Sequence, residues 1–178
     1  MSAADVIQAQ RNLRAVRRFG PGAIPNAVKD DILDVARWTG TAKNRQAWWL
    51  IWIEDTQTME TLAGLSTYAR HIAAAAAALA IVTSGEAEWE EQDVFDEGRL
   101  CERLMLTASV HGIGAGIGWL TGSGVEDAKR LLDIPPQRRL RTLIALGHPA
   151  EGATAATGRG GRKPLSELVF AERYGQPL

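Results

Sequence analysis

Four arginines lie within eight positions near the start of the chain, in the stretch RNLRAVRRFG: Arg11, Arg14, Arg17 and Arg18. A guanidinium group stays charged at physiological pH, and its fork of N–H donors matches a phosphate or a carboxylate. The 178 residues carry a formal net charge of only -1, so this concentration of positive charge is local. We therefore expect an anion-binding site at this segment.

Two further polar segments could contribute to such a site. TAKNRQAWW places Lys43, Asn44 and Gln46 directly before a tryptophan-rich stretch, and GRGGRKPLSELV near the end contains Arg162 and Lys163. Amide side chains both donate and accept hydrogen bonds, and the cations add charge. Each segment taken alone is also typical of a solvated surface or a turn, so their combination is what indicates a function.

The common catalytic and metal-binding motifs do not occur. The glycines of HGIGAGIG lack the GxGxxG spacing, and GRGGRKP lacks the Walker A spacing. There is no GxSxG elbow. His71, His111 and His148 stand apart from one another and from the one cysteine, so no zinc spacing arises, and we expect packed or surface histidines. Either the protein is not an enzyme, or a bound cofactor supplies the chemistry.

The bulk composition predicts one cytoplasmic domain. A net charge of -1 argues against a dedicated nucleic-acid or membrane-surface protein, because these carry a basic excess. The longest apolar run, residues 72–82, is too short to cross a bilayer, and the first 19 residues lack the apolar region of a signal peptide. Cys101 alone cannot form an intrachain disulfide, which suits a reducing compartment. The arginine segment keeps binding of nucleic acid or another anionic partner open as an alternative function.

Hydrophobic periodicity predicts mixed helices and strands, and therefore a layered domain. The first helix, residues 4–18, would carry the four arginines on one arc of about 120°. The strand at residues 48–53 is expected to be buried on both faces, and the acidic run at residues 86–97 to be a solvated loop or helix start. The other predicted helices cover residues 26–40, 56–65, 96–111 and 124–132, and the other predicted strands residues 77–83, 114–121 and 141–147.

In this order the segments resemble the FMN-dependent nitroreductase family over nearly the whole chain. LRAVRRF is similar to the family motif RRSxRxF, and GTAKNRQAW to PSxxNxQPW. LTASVHGIGAGIGWL matches the central helix and the Gly-rich strand, and RKPLSELVFAERYGQP matches RKPLEEVV with its ER-aromatic-G tail. The resemblance implies an α+β fold, a three-layer α-β-α sandwich with a central mixed, mostly antiparallel sheet. Residues 1–178 would be a single flavin-binding domain, with residues 150–178 as a loop and an arm on the partner chain of a homodimer.

The resemblance also implies an activity. Such an FMN-dependent oxidoreductase takes hydride from NADH or NADPH to the flavin and passes it to a nitroaromatic, quinone or similar small acceptor by a ping-pong mechanism. The flavin carries the chemistry, so no catalytic side chain and no metal are implied. Other flavin reactions on the same fold remain open, namely dehalogenation, flavin fragmentation and dehydrogenation. Residues 84–96 would be the lid that distinguishes them.

The family motifs assign roles to individual residues. Arg14 and Arg162 would hold the FMN phosphate, and Arg17 would lie near flavin N1 and the C2 oxygen, where a cation stabilises the anionic reduced ring. Asn44 would bond the pyrimidine edge, and Gly116 would let the ring approach closely. The other residues implied to contact the cofactor are Ala15, Val16, Lys43, Gln46, Ile117, Gly118, Trp119, Leu120 and Lys163.

The sequence departs from the family pattern at the phosphate motif. Leu13 stands where the family has its first arginine, and Ala15 where it has a serine; both family residues contact the phosphate and ribityl chain. Ala47 replaces the proline of QPW. The cations that could substitute at the phosphate are Arg11, Arg18 and Arg159.

Overall fold

Five α-helices and four β-strands alternate along residues 2–153 and 161–178, the residues that this computed structural model describes. The helices are α1 (Ala3–Asn12), α2 (Asn26–Arg37), α3 (Thr56–Gly64), α4 (Glu90–Val110) and α5 (Gly124–Leu131). The strands are β1 (Trp48–Ile53), β2 (Ala77–Thr83), β3 (Gly114–Trp119) and β4 (Arg139–Gly147). None of these helices is long and apolar enough to cross a membrane.

The strands form one antiparallel sheet with the order β1-β2-β4-β3. β2 and β4 are central and almost fully buried, and β1 and β3 lie at the two edges. A single parallel bridge, between Ala15 and Ala115, adds the segment after α1 to the β3 edge. The sheet is therefore mixed and mostly antiparallel, as the resemblance implied.

Helices cover both faces of the sheet. Successive side chains of a strand point to opposite faces, so Leu79 of β2 packs with α2 and α4, whereas Ala80 packs with α3 and α5. The first core contains Leu100 and Leu104 of α4, both fully buried, and the second contains Leu62 of α3. This arrangement confirms the predicted three-layer α-β-α sandwich.

The first helix is shorter than predicted. α1 begins with a capping box between Ser2 and Asp5 and ends at Asn12, and none of its residues is buried. The backbone of Leu13 is extended, and the Val16 N–H donates to the Ala115 carbonyl at 2.7 Å. The predicted arginine arc on one helix is therefore wrong, because pairing with the β3 edge outweighs the local helical periodicity. Arg14 and Arg17 lie on an extended segment instead.

β1 is an edge strand, which corrects the expectation of burial on both faces. β2 is its only neighbour within the described sheet, and the Trp49 side chain is 46% exposed. The Arg138 guanidinium lies 3.9 Å from the centre of the Trp49 ring. The aromatic residues of β1 therefore line the protein surface as well as the core.

The acidic run is only partly solvated, and α4 begins at Glu90, earlier than the predicted residue 96. Asp93, Asp96 and Glu97 are buried at 6%, 6% and 5% exposure. Buried carboxylates require partners, and these are arginines from other parts of the fold and from α4 itself. The pairs are Arg45–Asp93, Arg99–Asp96 and Arg139–Glu97.

Candidate functional site

The site is built where the extended segment after α1 crosses β3. This crossing is close, because a Cβ at Gly116 would lie 2.2 Å from the Val16 carbonyl oxygen, and one at Gly114 2.8 Å from the Val16 Cβ. A Cβ at Gly118 would lie 3.2 Å from the Ala69 Cα. The space where these Cβ atoms would stand is occupied by the chain itself, and the approach of the flavin ring to Gly116 and Gly118 stays a prediction.

A hollow of about 520 Å³ opens beside this crossing, and we call it the Arg17 hollow. Its volume lies in the usual range for small-molecule sites. Two aromatic side chains in its wall are accessible, Trp119 at 45% and Tyr68 at 64% exposure. The residues that line it are Arg17, Thr67, Tyr68, His71, Ile117 and Trp119.

Arg17 dominates the charge of this hollow. It makes no ion pair with an acidic side chain in the part of the chain that the structure describes. Arg141 adds a second cation nearby, with its guanidinium 4.6 Å from the centre of the Trp119 ring. The hollow is therefore suited to a planar, electron-rich ligand with negative charge.

His71 is a residue of the hollow that the sequence did not single out. Its Nε2 lies 3.4 Å from the Gly116 carbonyl oxygen. Burial lowers the pKa of His71; the positive charge of Arg17 lowers it further, and the contact with Gly116 opposes both effects. His71 is thus held in its neutral form near neutral pH. No sequence motif predicts His71 at this site, because Arg17 and Gly116, its neighbours in the fold, are distant from it in sequence.

Arg14 lies at the other end of the crossing, beside a smaller hollow of about 240 Å³. Its Nη1 donates to the carbonyls of Arg11 and Leu13 at 2.7 and 2.8 Å. A guanidinium has further donors on Nε and Nη2, so these contacts leave Arg14 able to bind an anion. Leu13, where the family has an arginine, packs partly buried against the core, and Ala15 is exposed.

The loop that carries Asn44 has an unusual backbone. Lys43, Asn44 and Gln46 have φ angles of 51°, 54° and 50°. Each non-glycine residue in this left-handed region costs about 1–3 kcal/mol, and such residues cluster at functional sites. The Asn44 N–H donates to the Thr41 carbonyl at 3.0 Å, and the Gln46 N–H to the Thr41 hydroxyl at 2.9 Å. The three strained residues are exposed.

The structure does not bring all predicted site residues together within one chain. Asn44 precedes β1 at one edge of the sheet, and the Arg17 hollow lies at β3 on the other edge. Three strand spacings, about 14 Å, separate these edges. The two groups of predicted site residues therefore lie at opposite edges of the sheet.

The remaining predicted contacts divide by accessibility. Ile117 and Trp119 line the hollow, whereas the side chains of Val16 and Leu120 are buried at 2% exposure, so only their backbones could reach a ligand. Arg162 and Lys163 are exposed, and Nζ of Lys163 lies 3.9 Å from Oε2 of Glu167. Arg159 lies outside the described residues.

Comparisons with known proteins agree with this architecture. No family model matches the sequence. A protein of Methanothermobacter thermautotrophicus, provisionally named an NADH dehydrogenase/NAD(P)H nitroreductase, is 26% identical over 156 residues, which cover 85% of this chain and 81% of the relative.

Solved structures show the same fold. A provisionally named nitroreductase from Desulfovibrio desulfuricans, solved in complex with FMN, has a TM-score of 0.76 and 26% identity, covering 95% of this chain and 97% of that one. An FMN-dependent nitroreductase from Clostridium difficile has a TM-score of 0.78 and 16% identity, with 94% and 99% covered. The resemblance to the nitroreductase family is confirmed, and the chain has the α+β fold of these proteins.

Proposed function

We propose that this chain, which has the nitroreductase fold, is an FMN-dependent oxidoreductase that takes hydride from NADH or NADPH and passes it to a nitroaromatic, quinone or similar small acceptor by a ping-pong mechanism. The observation that carries the proposal is the Arg17 hollow, where a cation without an acidic partner among the described residues stands beside two accessible aromatic rings. The names of the relative and the structural neighbours, nitroreductases with FMN among them, support it.

The residues present fit FMN. When bound, FMN supplies the hydride-accepting and hydride-donating chemistry, and no side chain acts as a covalent catalyst. Arg17 provides positive charge for the N1 and C2-oxygen side of the ring, where reduction places negative charge. Arg14 and Arg162 provide guanidinium donors for the phosphate, and Asn44 provides donors and acceptors for the pyrimidine edge.

The working unit of this proposal is a homodimer. Asn44 and the Arg17 hollow lie at opposite sheet edges, so a second copy that contributes its own loop would complete each site. The tail supports this, because its apolar side chains are exposed: Leu165 is 72%, Leu168 58% and Tyr174 95% exposed. Residues 150–178, of which 154–160 lie outside the described residues, would be a loop and an arm that packs on the partner chain, within a single cytoplasmic domain of residues 1–178.

Steady-state and anaerobic kinetics test this function. The FMN-loaded protein is mixed with NADH or NADPH without oxygen, and the visible flavin absorbance is followed before and after a quinone or nitroaromatic is added. We expect the absorbance to bleach and then return, and double-reciprocal plots with both substrates varied to give parallel lines. A bound flavin that neither nucleotide reduces would contradict the proposed reaction.

A further inference from the structure

Arg45 differs from its neighbours in the strained loop. Lys43, Asn44 and Gln46 have positive φ angles and are exposed, whereas Arg45 has a φ of -64° and its side chain is only 18% exposed. Strained residues stand on both sides of it. The anchoring of its side chain therefore fixes where the three exposed side chains are placed.

Arg45 is anchored at the start of α4 by a group that we call the Arg45 cluster: Arg45, Glu86, Trp89 and Asp93. Nη1 of Arg45 lies 2.8 Å from Oδ1 of Asp93, and Nη2 lies 2.6 Å from Oε2 of Glu86. The guanidinium is 4.2 Å from the centre of the Trp89 ring. The second oxygen of Asp93 accepts a hydrogen bond from the Ser84 hydroxyl. Because the Asp93 side chain is 7% exposed, loss of Arg45 would leave a buried charge poorly compensated.

Other contacts with α4 hold the first part of the loop, and the Lys43 ammonium lies 5.0 Å from the centre of the Trp89 ring. The Ala42 N–H donates to Asp96 at 2.9 Å, and Arg99 donates to the Gly40 carbonyl at 2.9 Å. Both contacts precede the strained residues. The ion pairs of Arg45 lie between Asn44 and Gln46 and thus hold the part of the loop that faces solvent.

We propose that Arg45 is a positioning residue for the cofactor site: its ion pairs with Glu86 and Asp93 hold Lys43, Asn44 and Gln46 in the strained conformation in which they meet the flavin. Arg45 itself does not touch the cofactor. This inference rests on the proposed function, because it needs these three residues to contact FMN. Under this proposal Glu86 and Asp93, the acidic residues around the start of α4, act as the ion-pair partners that hold Arg45.

The test compares Arg45→Met with Arg139→Met as a matched control. The Arg139–Glu97 pair also joins α4 to another part of the fold, but it does not involve the loop. The burial of the two pairs is similar: Arg139 and Glu97 are 22% and 6% exposed, and Arg45 and Asp93 are 18% and 7% exposed. FMN affinity is measured by quenching of flavin fluorescence. We expect Arg45→Met to weaken FMN binding about tenfold or more, because Lys43, Asn44 and Gln46 would no longer be held in place for their own contacts with FMN, and the control to change it less than about threefold.

Two further readouts separate positioning from general stability. Hydrogen exchange of the flavin-free protein should be faster at the amides of Ala42, Asn44, Arg45 and Gln46 in Arg45→Met but not in the control. The visible circular dichroism of bound flavin should change only in the Arg45 variant. Arg45→Lys should restore part of the affinity, because one ammonium replaces one of the two ion pairs.

The outcomes distinguish the two proposals. A wild-type protein that binds no FMN overturns the proposed function and this inference with it. A wild-type protein that binds FMN, together with an Arg45→Met variant that matches Arg139→Met in affinity and exchange, overturns the positioning role alone. If Arg45→Met does not fold, Glu86→Gln removes one ion pair at a 54% exposed carboxylate. Unchanged affinity and exchange in that variant would likewise overturn the role.

Discussion

Arg17 and His71 share one hollow but reach it from distant parts of the sequence. The motif that resembles the nitroreductase pattern is sufficient to predict Arg17, because it lies in a contiguous, recognisable segment. His71 could not be predicted, since only the fold places it near the Gly116 carbonyl. The sequence likewise could not predict why residues 116 and 118 are glycines: a Cβ at Gly116 would crowd Val16, and one at Gly118 would crowd Ala69.

The lowered pKa of His71 predicts a pH-dependent stability. Below its usual pKa of 6.5 the unfolded chain takes up a proton that the native protein resists, so this contribution is present above about pH 6.5 and lost as the pH falls through the native pKa. We expect the flavin-free wild type to lose more unfolding free energy between about pH 7.5 and pH 5 than His71→Gln does. Urea denaturation at both pH values measures this. Equal losses in the two proteins would count against the predicted shift.

Cys101 is predicted to be unreactive in the native protein. Burial raises the pKa of Cys101 to about 12, with the negative charge of Glu97 adding to the effect. Since the thiolate is the reactive form, a chromogenic disulfide reagent should label it only after denaturation. Rapid labelling of the folded protein at neutral pH would show that the middle of α4 opens readily.

The elements were largely predictable where periodicity and burial agree. β2, α3 and α5 appear within a residue or two of their expected positions, because their apolar residues face a core. The conformation of residues 13–19 was not predictable, because pairing with the β3 edge determines it rather than the hydrophobic periodicity of the segment itself. The tryptophan-rich sequence of β1 likewise did not indicate that this strand lies at an edge of the sheet.

Gly116→Ala tests the crossing that shapes the Arg17 hollow. The added Cβ would lie 2.2 Å from the Val16 carbonyl oxygen, so the segment must move away from β3. We expect a loss of about 1–3 kcal/mol in unfolding free energy, as for overpacked sites, together with weaker FMN binding because Arg17 moves. Gly64→Ala is the control, since outside its own helix and chain neighbours no atom of the described residues lies within 4 Å of its Cβ position. Its unfolding free energy should stay the same or rise by up to about 1 kcal/mol, because alanine favours a helix over glycine. A loss in the control as large as that in Gly116→Ala would refute a specific crossing.

At the scale of the whole molecule, the placement of the predicted site residues at two sheet edges could not be seen in the sequence. Motif order indicates which residues belong together, but not whether one chain or two bring them together. The strand order β1-β2-β4-β3 supplies that information, because it separates Asn44 from Arg17. The exposed apolar tail was foreseeable, since a sequence such as LSELVFAERY needs a surface to cover.

Deletion of residues 165–178 should therefore weaken the proposed homodimer. The tail exposes Leu165, Leu168, Tyr174 and Leu178, and burial of this apolar area against a partner would stabilise association by about 25 cal/mol per Å². Sedimentation velocity over a range of concentrations should show a dimer for the full chain and a shift towards monomer for the shortened one. A full-length chain that stays monomeric at every concentration would argue against the dimer.

The most direct test of the central claim is a titration of flavin-free protein with FMN, followed by the quenching of flavin fluorescence. Wild type and Arg17→Met are compared with Arg130→Met, a control that removes a 70% exposed arginine on α5. We predict saturable binding of one FMN per chain, clearly weakened in Arg17→Met and unchanged in Arg130→Met. Absence of binding to the wild type, or equal binding by all three proteins, would contradict a flavin site in the Arg17 hollow.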